Sequence, residues 1–178
     1  MRKHIKELSL VGIFPALMAA TAGFYIPLGT LPSITFQTFF VFLAGLLLGS
    51  RKGSLAILIY VLIGAIGLPV FSGFQGGLGV LFGYSGGFIL SFIPSAFIVG
   101  LLKEKLPPTN HNFLGYLMIL LIGNVVIYLG GSIYLAILTK TSFYLIITSF
   151  IIYTPGDLVK IVASILIYQR LNKILLNR

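Results

Sequence analysis

Cysteine is absent from this chain, and acidic residues number only three in 178. The first absence excludes disulfides and thiolate chemistry. The second leaves little for paired-carboxylate catalysis, because Glu7 and Glu104 stand beside basic residues and only Asp157 lies inside an apolar stretch. His4 and His111 are the two histidines, far apart and without metal-ligand spacing. There is no glycine-rich phosphate loop of Walker type, so ATP hydrolysis cannot reside here. An enzyme is disfavoured, and neither a metal nor a cofactor is expected.

What is present is hydrocarbon. Hydrophobic residues make up 58% of the chain and charged residues 8%, against about 25% charged in ordinary globular domains. Mean hydropathy is +1.09. The chain is expected to be an integral membrane protein. Its net charge of +9 does not point to nucleic acid, because the basic residues flank apolar runs, where they orient the chain and meet lipid headgroups. The basic start, Met1 to Glu7, precedes an apolar run without a small-residue cleavage site, so it is expected to be a retained first helix and not a signal peptide.

A spanning helix needs roughly 20 apolar residues, fewer when well packed. Six candidates follow: 8–26, 35–49, 54–67, 85–102, 113–129 and 155–171. With both termini cytoplasmic, Arg2, Lys3, Lys6, Arg51, Lys52, Lys103, Lys105, Arg170, Lys173 and Arg178 fall on one side, and the outer segments 27–34, 68–84 and 130–153 hold only Lys140. Every loop then obeys the positive-inside rule. The expected fold is a compact all-α bundle of six transmembrane helices with capping loops on the outer side, residues 1–178 forming one membrane domain. The loop from Pro27 to Ser33 is uncharged and rich in Pro and Gly, and 67–79 adds aromatics. Such loops are expected to fold onto the helix ends. Residues 130–153 are expected to form a partly helical cap.

The most informative stretch is Thr154-Pro155-Gly156-Asp157-Leu158-Val159-Lys160. A hydroxyl before a proline reads as an N-cap and first helical position. Asp157 and Lys160, three apart, then share a helix face. Charges amid hydrocarbon mark either a structural lock or a binding site. As a site, Lys160 attracts a ligand carboxylate and Asp157 accepts ligand N–H groups. As a lock, Asp157 completes a capping box with Thr154 and Lys160 neutralises it.

In loop 67–79, Phe71 and Phe74 are candidate apolar walls and Ser72 and Gln75 candidate polar contacts, although a tight outer turn explains the composition equally. Ala16 and Ala20, with Gly12 and Gly23 near them, have small-xxx-small spacing that admits a close helix from the same chain or another subunit. Gln37 and Asn124 are polar within spans, as helix–helix hydrogen-bond glue or as cavity contacts.

Three motifs in register carry a family resemblance. Phe36-Gln37-Thr38 with Leu43 to Arg51, Gly64 to Phe74 with Gly76-Gly77, and Pro155 to Lys160 resemble the BioY proteins. Those are the biotin-binding S components of energy-coupling factor (ECF) transporters, in the vitamin-uptake group of prokaryotes. The resemblance implies capture of biotin at the outer side of the cytoplasmic membrane, with a membrane coupling subunit and two cytoplasmic ATPase subunits as partners. With biotin as ligand, Asp157 and Lys160 are expected to supply the charged contacts, Phe71, Phe74 and Tyr153 the walls, and Ser72, Gln75 and Asn124 polar contacts, while the resemblance implies a coupling-subunit interface at Ala16 and Ala20. At the fourth helix, Gly83-Tyr84-Ser85-Gly86-Gly87-Phe88 departs from the family's usual Gly-Pro-Thr-Gly-Gly-Tyr. The rivals are an S component for another vitamin, such as riboflavin or thiamine, and a membrane assembly subunit without a ligand.

Overall fold

A computed structural model describes residues 2–29, 31–107 and 112–176. Thr30, His111 and Arg178 lie outside the described residues, as do the side chains of Arg2, Lys3, His4, Lys6 and Glu7. In chain order come α1 (Arg2–Ala20), β1 (Tyr25–Leu28), β2 (Leu31–Thr35), α2 (Gln37–Ala65), α3 (Leu78–Leu81), α4 (Gly86–Lys105), α5 (Phe113–Thr139), α6 (Phe143–Ser149) and α7 (Thr154–Leu176). Short 3-10 turns occupy Ser72–Phe74 and Phe150–Tyr153.

Four helical stretches, 37–65, 86–105, 113–139 and 143–173, are long and apolar enough to cross a membrane. The first is a helical hairpin. Gly49 breaks it with φ 79° and ψ −176°, a conformation that glycine alone adopts cheaply. The arms 37–48 and 50–65 lie against each other: a Cβ on Gly53 would press on the Ala44 carbonyl, and Gln37 hydrogen-bonds Tyr60. With α1, α4, α5 and α7, the two arms complete a six-helix bundle.

Glu104 of α4 closes the turn of that hairpin. Its carboxylate accepts the Ser50 backbone N–H at 2.7 Å and the Ser50 hydroxyl at 3.0 Å. An anion at the start of arm 50–65 satisfies an orphan donor and meets the positive end of the helix dipole.

Close backbone approach holds the centre together. Gly45 receives the Val99 side chain and the Ala96 carbonyl, while Gly100 faces the backbone of Gly49 and Ser50, so α2 and α4 approach closely. Phe42, Leu46, Val99, Leu120, Ile127, Ile161 and Ile165 fill the interior. Leu62, Ile122, Val125 and Leu166 point outward, as lipid-facing residues do.

The charge asymmetry of the sequence becomes spatial at one end. Lys103 lies 5.8 Å from the centre of the Tyr168 ring, and that ring packs on Tyr116 at 5.0 Å. Together with the Ser50–Glu104 contact, this gathers the Arg51–Lys52 turn, the end of α4, the start of α5 and the later part of α7. The hairpin β1–β2, the loop after α2 and the start of α7 occupy the opposite end.

Three expected boundaries are corrected. The first helix ends at Ala20, not Ile26, and the chain enters an antiparallel hairpin pairing Tyr25 with Thr35 and Ile26 with Ile34. Pro27 and Pro32 cannot continue a helix interior, and hairpin pairing satisfies the backbone instead. The fifth helix runs to Thr139, beyond the expected Leu129. Gly130 and Gly131 cost a helix about 1 kcal/mol each, but they receive Ser91 and Phe88 of α4 closely, and packing outweighs propensity. That helix ends at Lys140, left-handed at φ 54°. The remainder of 130–153 is the short α6 and a 3-10 turn. Third, α7 has no N-cap at Thr154: the 3-10 turn runs straight into it and Thr154 is helical, with φ −52° and ψ −46°. Pro155 is tolerated because first-turn N–H groups have no intrahelical partner anyway.

Candidate functional site

At the end opposite the basic cluster, β2, the first turn of α2, loop 71–75, α5 and α7 enclose a cleft with about 790 Å³ of empty space counted out to its open mouth. Its walls are mostly apolar, and its charges come from α7.

Asp157 and Lys160 both line the cleft. Lys160 Nζ donates to Asp157 Oδ1 at 2.9 Å, with the two side chains only 11% and 6% exposed. The hydroxyl of Tyr128 on α5 donates to the other oxygen of Asp157. The capping-box reading is therefore corrected, because both oxygens of the Asp157 carboxylate are engaged by side chains. Asn124 lies one turn ahead of Tyr128 on the same helix. A polar ladder thus crosses from α5 to α7: Tyr128, Asp157, Lys160.

Around the ladder stands an aromatic wall. Phe150 stacks on Tyr128 at 5.2 Å and 16° and meets Phe88 edge-on at 5.2 Å. The Tyr153 hydroxyl donates to the Pro32 carbonyl, tying the start of α7 to the hairpin. Across the cleft, Phe71 is fully buried. Its ring meets Tyr60 edge-on at 5.5 Å and fills the notch at Gly64. The Tyr60 hydroxyl accepts from Gln37 and donates to the Val70 carbonyl at 3.0 Å. One hydroxyl thereby fixes the loop to α2.

Of the site residues expected from the sequence, Asp157, Lys160, Phe71, Ser72, Gln75 and Tyr153 line this cleft. Phe74 and Asn124 do not. Gly73 and Phe74 both have positive φ, 71° and 56°, which swings the Phe74 ring out over Gly23 and leaves it 58% exposed. The Gly73 N–H donates to the Ala22 carbonyl at 2.8 Å, docking the loop on the segment after α1. Asn124 lies one turn before Tyr128 on α5. Tyr84 is not part of the wall either, whereas Ser85 is.

Sequence reasoning did not place Tyr128, Thr38, Phe88 or Phe150 in the site, although Thr38 and Phe88 stand in the stretches compared with the family. Tyr128 had a signal: it follows Asn124 by four, so the polar atoms of both share one face of an apolar helix. The others are ordinary core residues until the tertiary fold turns them inward.

On α1, Val11, Phe14 and Met18 are buried while Gly12, Ala16 and Ala20 are exposed. Among the described residues, nothing lies within 4 Å of a Cβ built on Gly12. The small-residue face therefore points away from the bundle.

Residues 1–177 match the BioY family. The chain is 41% identical over 174 residues to the biotin transporter BioY of Thermotoga maritima, covering 98% of this chain and 100% of that one. It is 42% identical over 168 residues to the probable biotin transporter BioY of Pyrococcus horikoshii, covering 93% and 96%. Its fold superposes on the crystal structure of the S-component for biotin from an ECF-type ABC transporter with a TM-score of 0.90 and 28% identity, covering 97% and 93% of the two chains.

Proposed function

The chain belongs to the BioY family, and from that premise we infer that it captures biotin for uptake as the substrate-specific subunit of an ECF-type ABC transporter. It is a transport subunit and not an enzyme. The observation that carries the reading is the buried Asp157–Lys160 pair, joined by Tyr128 and set in the wall of an aromatic cleft. Biotin suits such a cleft. Its ureido ring has N–H donors and a carbonyl acceptor, its thiophane and valeryl chain are apolar, and it ends in a carboxylate.

In this reading residues 1–178 work as one S-component domain in the prokaryotic cytoplasmic membrane. Asp157, Lys160, Ser72, Gln75, Phe71 and Tyr153 contact biotin, joined by Tyr128. Phe74 and Asn124 act through the elements they brace. A membrane coupling subunit packs on the exposed face of α1 at Ala16 and Ala20, and two cytoplasmic ATPase subunits supply the energy. Outward small residues support that partner, since they permit a second helix to approach closely.

Equilibrium binding to the purified protein in detergent tests the assignment, with riboflavin and thiamine as controls. Saturable binding selective for biotin is expected. Stable, folded protein that binds none of it would overturn the assignment and leave the membrane fold standing.

A further inference from the structure

Lys103, Glu104 and Lys105 close α4 and face three ways. Lys103 lies over the Tyr168 ring on α7, and Glu104 accepts from Ser50 on α2. Lys105 instead lines a groove between the end of α4 and the start of α5. Successive helical residues turn by about 100°, so the divergence follows from the backbone. Among the described residues Lys105 has no ion-pair partner, and its side chain is exposed.

The groove has about 900 Å³ of empty space counted out to its open side. Away from Lys105 its lining is almost wholly apolar. Leu114, Met118 and Ile122 of α5 line it and are 60%, 54% and 46% exposed. Four apart, they form one stripe about 12 Å long. Leu102 lines it from α4, and Gly115 lines it without adding a side chain.

A groove with one cationic end and an apolar length is complementary to an amphiphile. Both helices are long and apolar enough to cross a membrane, so its open side meets lipid. Its Lys105 end lies at the basic end of the bundle, and basic pockets between transmembrane helices suit anionic headgroups. The start of α5 adds to this. Asn112 Oδ1 accepts the Gly115 N–H at 2.9 Å, while the N–H groups of Phe113 and Leu114 have no intrahelical acceptor and favour an anion. Free phosphate would leave the apolar stripe bare, and a neutral lipid would leave Lys105 unmatched.

We propose that this groove between α4 and α5 binds a phospholipid with an anionic headgroup. Lys105 takes the phosphate, and an acyl chain lies along Leu114, Met118 and Ile122. The site is at the opposite end of the bundle from the cleft and does not depend on the biotin reading.

The test is native mass spectrometry of the full chain released from lipid-free detergent, with dioleoyl-phosphatidylglycerol or dioleoyl-phosphatidylcholine added. Phosphatidylcholine has the same phosphate but a fixed positive charge beside it, which offsets the attraction of Lys105. One basic side chain near the headgroups is worth about fivefold in binding an anionic lipid. The wild type is expected to prefer phosphatidylglycerol by about that factor for the first lipid retained, and Lys105→Gln to reduce the preference to within about twofold of parity. Lys173→Gln, which removes the same charge from α7 outside the groove, is expected to keep it. Met118→Trp fills the stripe and is expected to weaken both lipids. Wild-type melting in lipid-free detergent checks the fold of each variant, and if Met118→Trp fails that check, Ile122→Trp decides in its place. Equal retention of the two lipids by the wild type overturns the proposal, as does equal loss of preference in Lys105→Gln and Lys173→Gln. Unchanged lipid binding with the stripe filled overturns it too, and so does displacement of the lipid by an equal concentration of inorganic phosphate, which would make the site one for a free anion.

Discussion

Tyr128 on α5 gives its hydroxyl proton to the Asp157 carboxylate on α7, on the oxygen that Lys160 leaves free. Two helices far apart in sequence are thereby fixed at the wall of one cleft. Their junction is polar, because the carboxylate of Asp157 has both oxygens engaged where lipid and protein would otherwise surround it.

Asp157→Asn and Lys160→Met are each expected to weaken biotin binding by about tenfold or more, since each removes a charge-assisted contact. Each single change also leaves a buried partner charge uncompensated, which costs about 3–5 kcal/mol in protein interiors. The double variant is therefore expected to melt above at least one of the single variants, yet to bind no better. Thermal unfolding in detergent beside titration calorimetry would separate the two effects. Wild-type affinity in both single variants would return the pair to a purely structural role.

Tyr60→Phe removes the hydroxyl that joins Gln37 to the Val70 carbonyl. Two buried polar groups lose their partner, at about 1–3 kcal/mol each. Loop 67–77 is expected to exchange its amide hydrogens faster and biotin to dissociate faster, with the fold of α4 and α5 unchanged. Hydrogen exchange followed by mass spectrometry would register the loop directly.

Phe71 and Phe74, three apart, are expected to behave differently. Phe71→Leu disturbs a fully buried ring of the cleft wall, so affinity is expected to fall and stability with it. Phe74→Ala removes an exposed ring covering Gly23 and is expected to change affinity by less than Phe71→Leu does. The same binding titration ranks the two, and the reverse order would place Phe74 in contact with ligand.

Glu104→Gln is expected to lower stability by about 1–2 kcal/mol, because a neutral amide is a weaker acceptor for the Ser50 donors at a helix start. Gly49→Ala at the same turn is expected to cost a similar amount or more, since φ 79° strains any side chain. Biotin affinity is expected to stay near wild type in both, because the turn lies at the opposite end of the bundle from the cleft. Melting curves in detergent check this.

Ala16→Phe is expected to leave biotin binding intact and to abolish co-purification with the coupling subunit. The side chain points outward from α1, so bulk added there would meet the proposed partner and not the core. Intact co-purification would remove α1 from the proposed interface.

Membrane class, the basic clusters and the Asp157–Lys160 pair were legible in the sequence because each is a local property of residue type and spacing. Hydrocarbon needs no partner to declare itself, and two charges three apart on a helix must share a face. The motif order also carried the family resemblance. Tertiary structure alone decided that Gly49 folds α2 on itself under the Glu104 carboxylate, 54 positions beyond Ser50, that Gly130 and Gly131 extend α5 by receiving α4, and that residues 25–35 pair as strands. It also turned Phe74 outward and lined the cleft with Tyr128 and Thr38 while leaving Asn124 out of its wall. The reason is common to all of these. A left-handed turn and a glycine notch acquire meaning only from what the folded chain sets against them, and no window of sequence contains that partner.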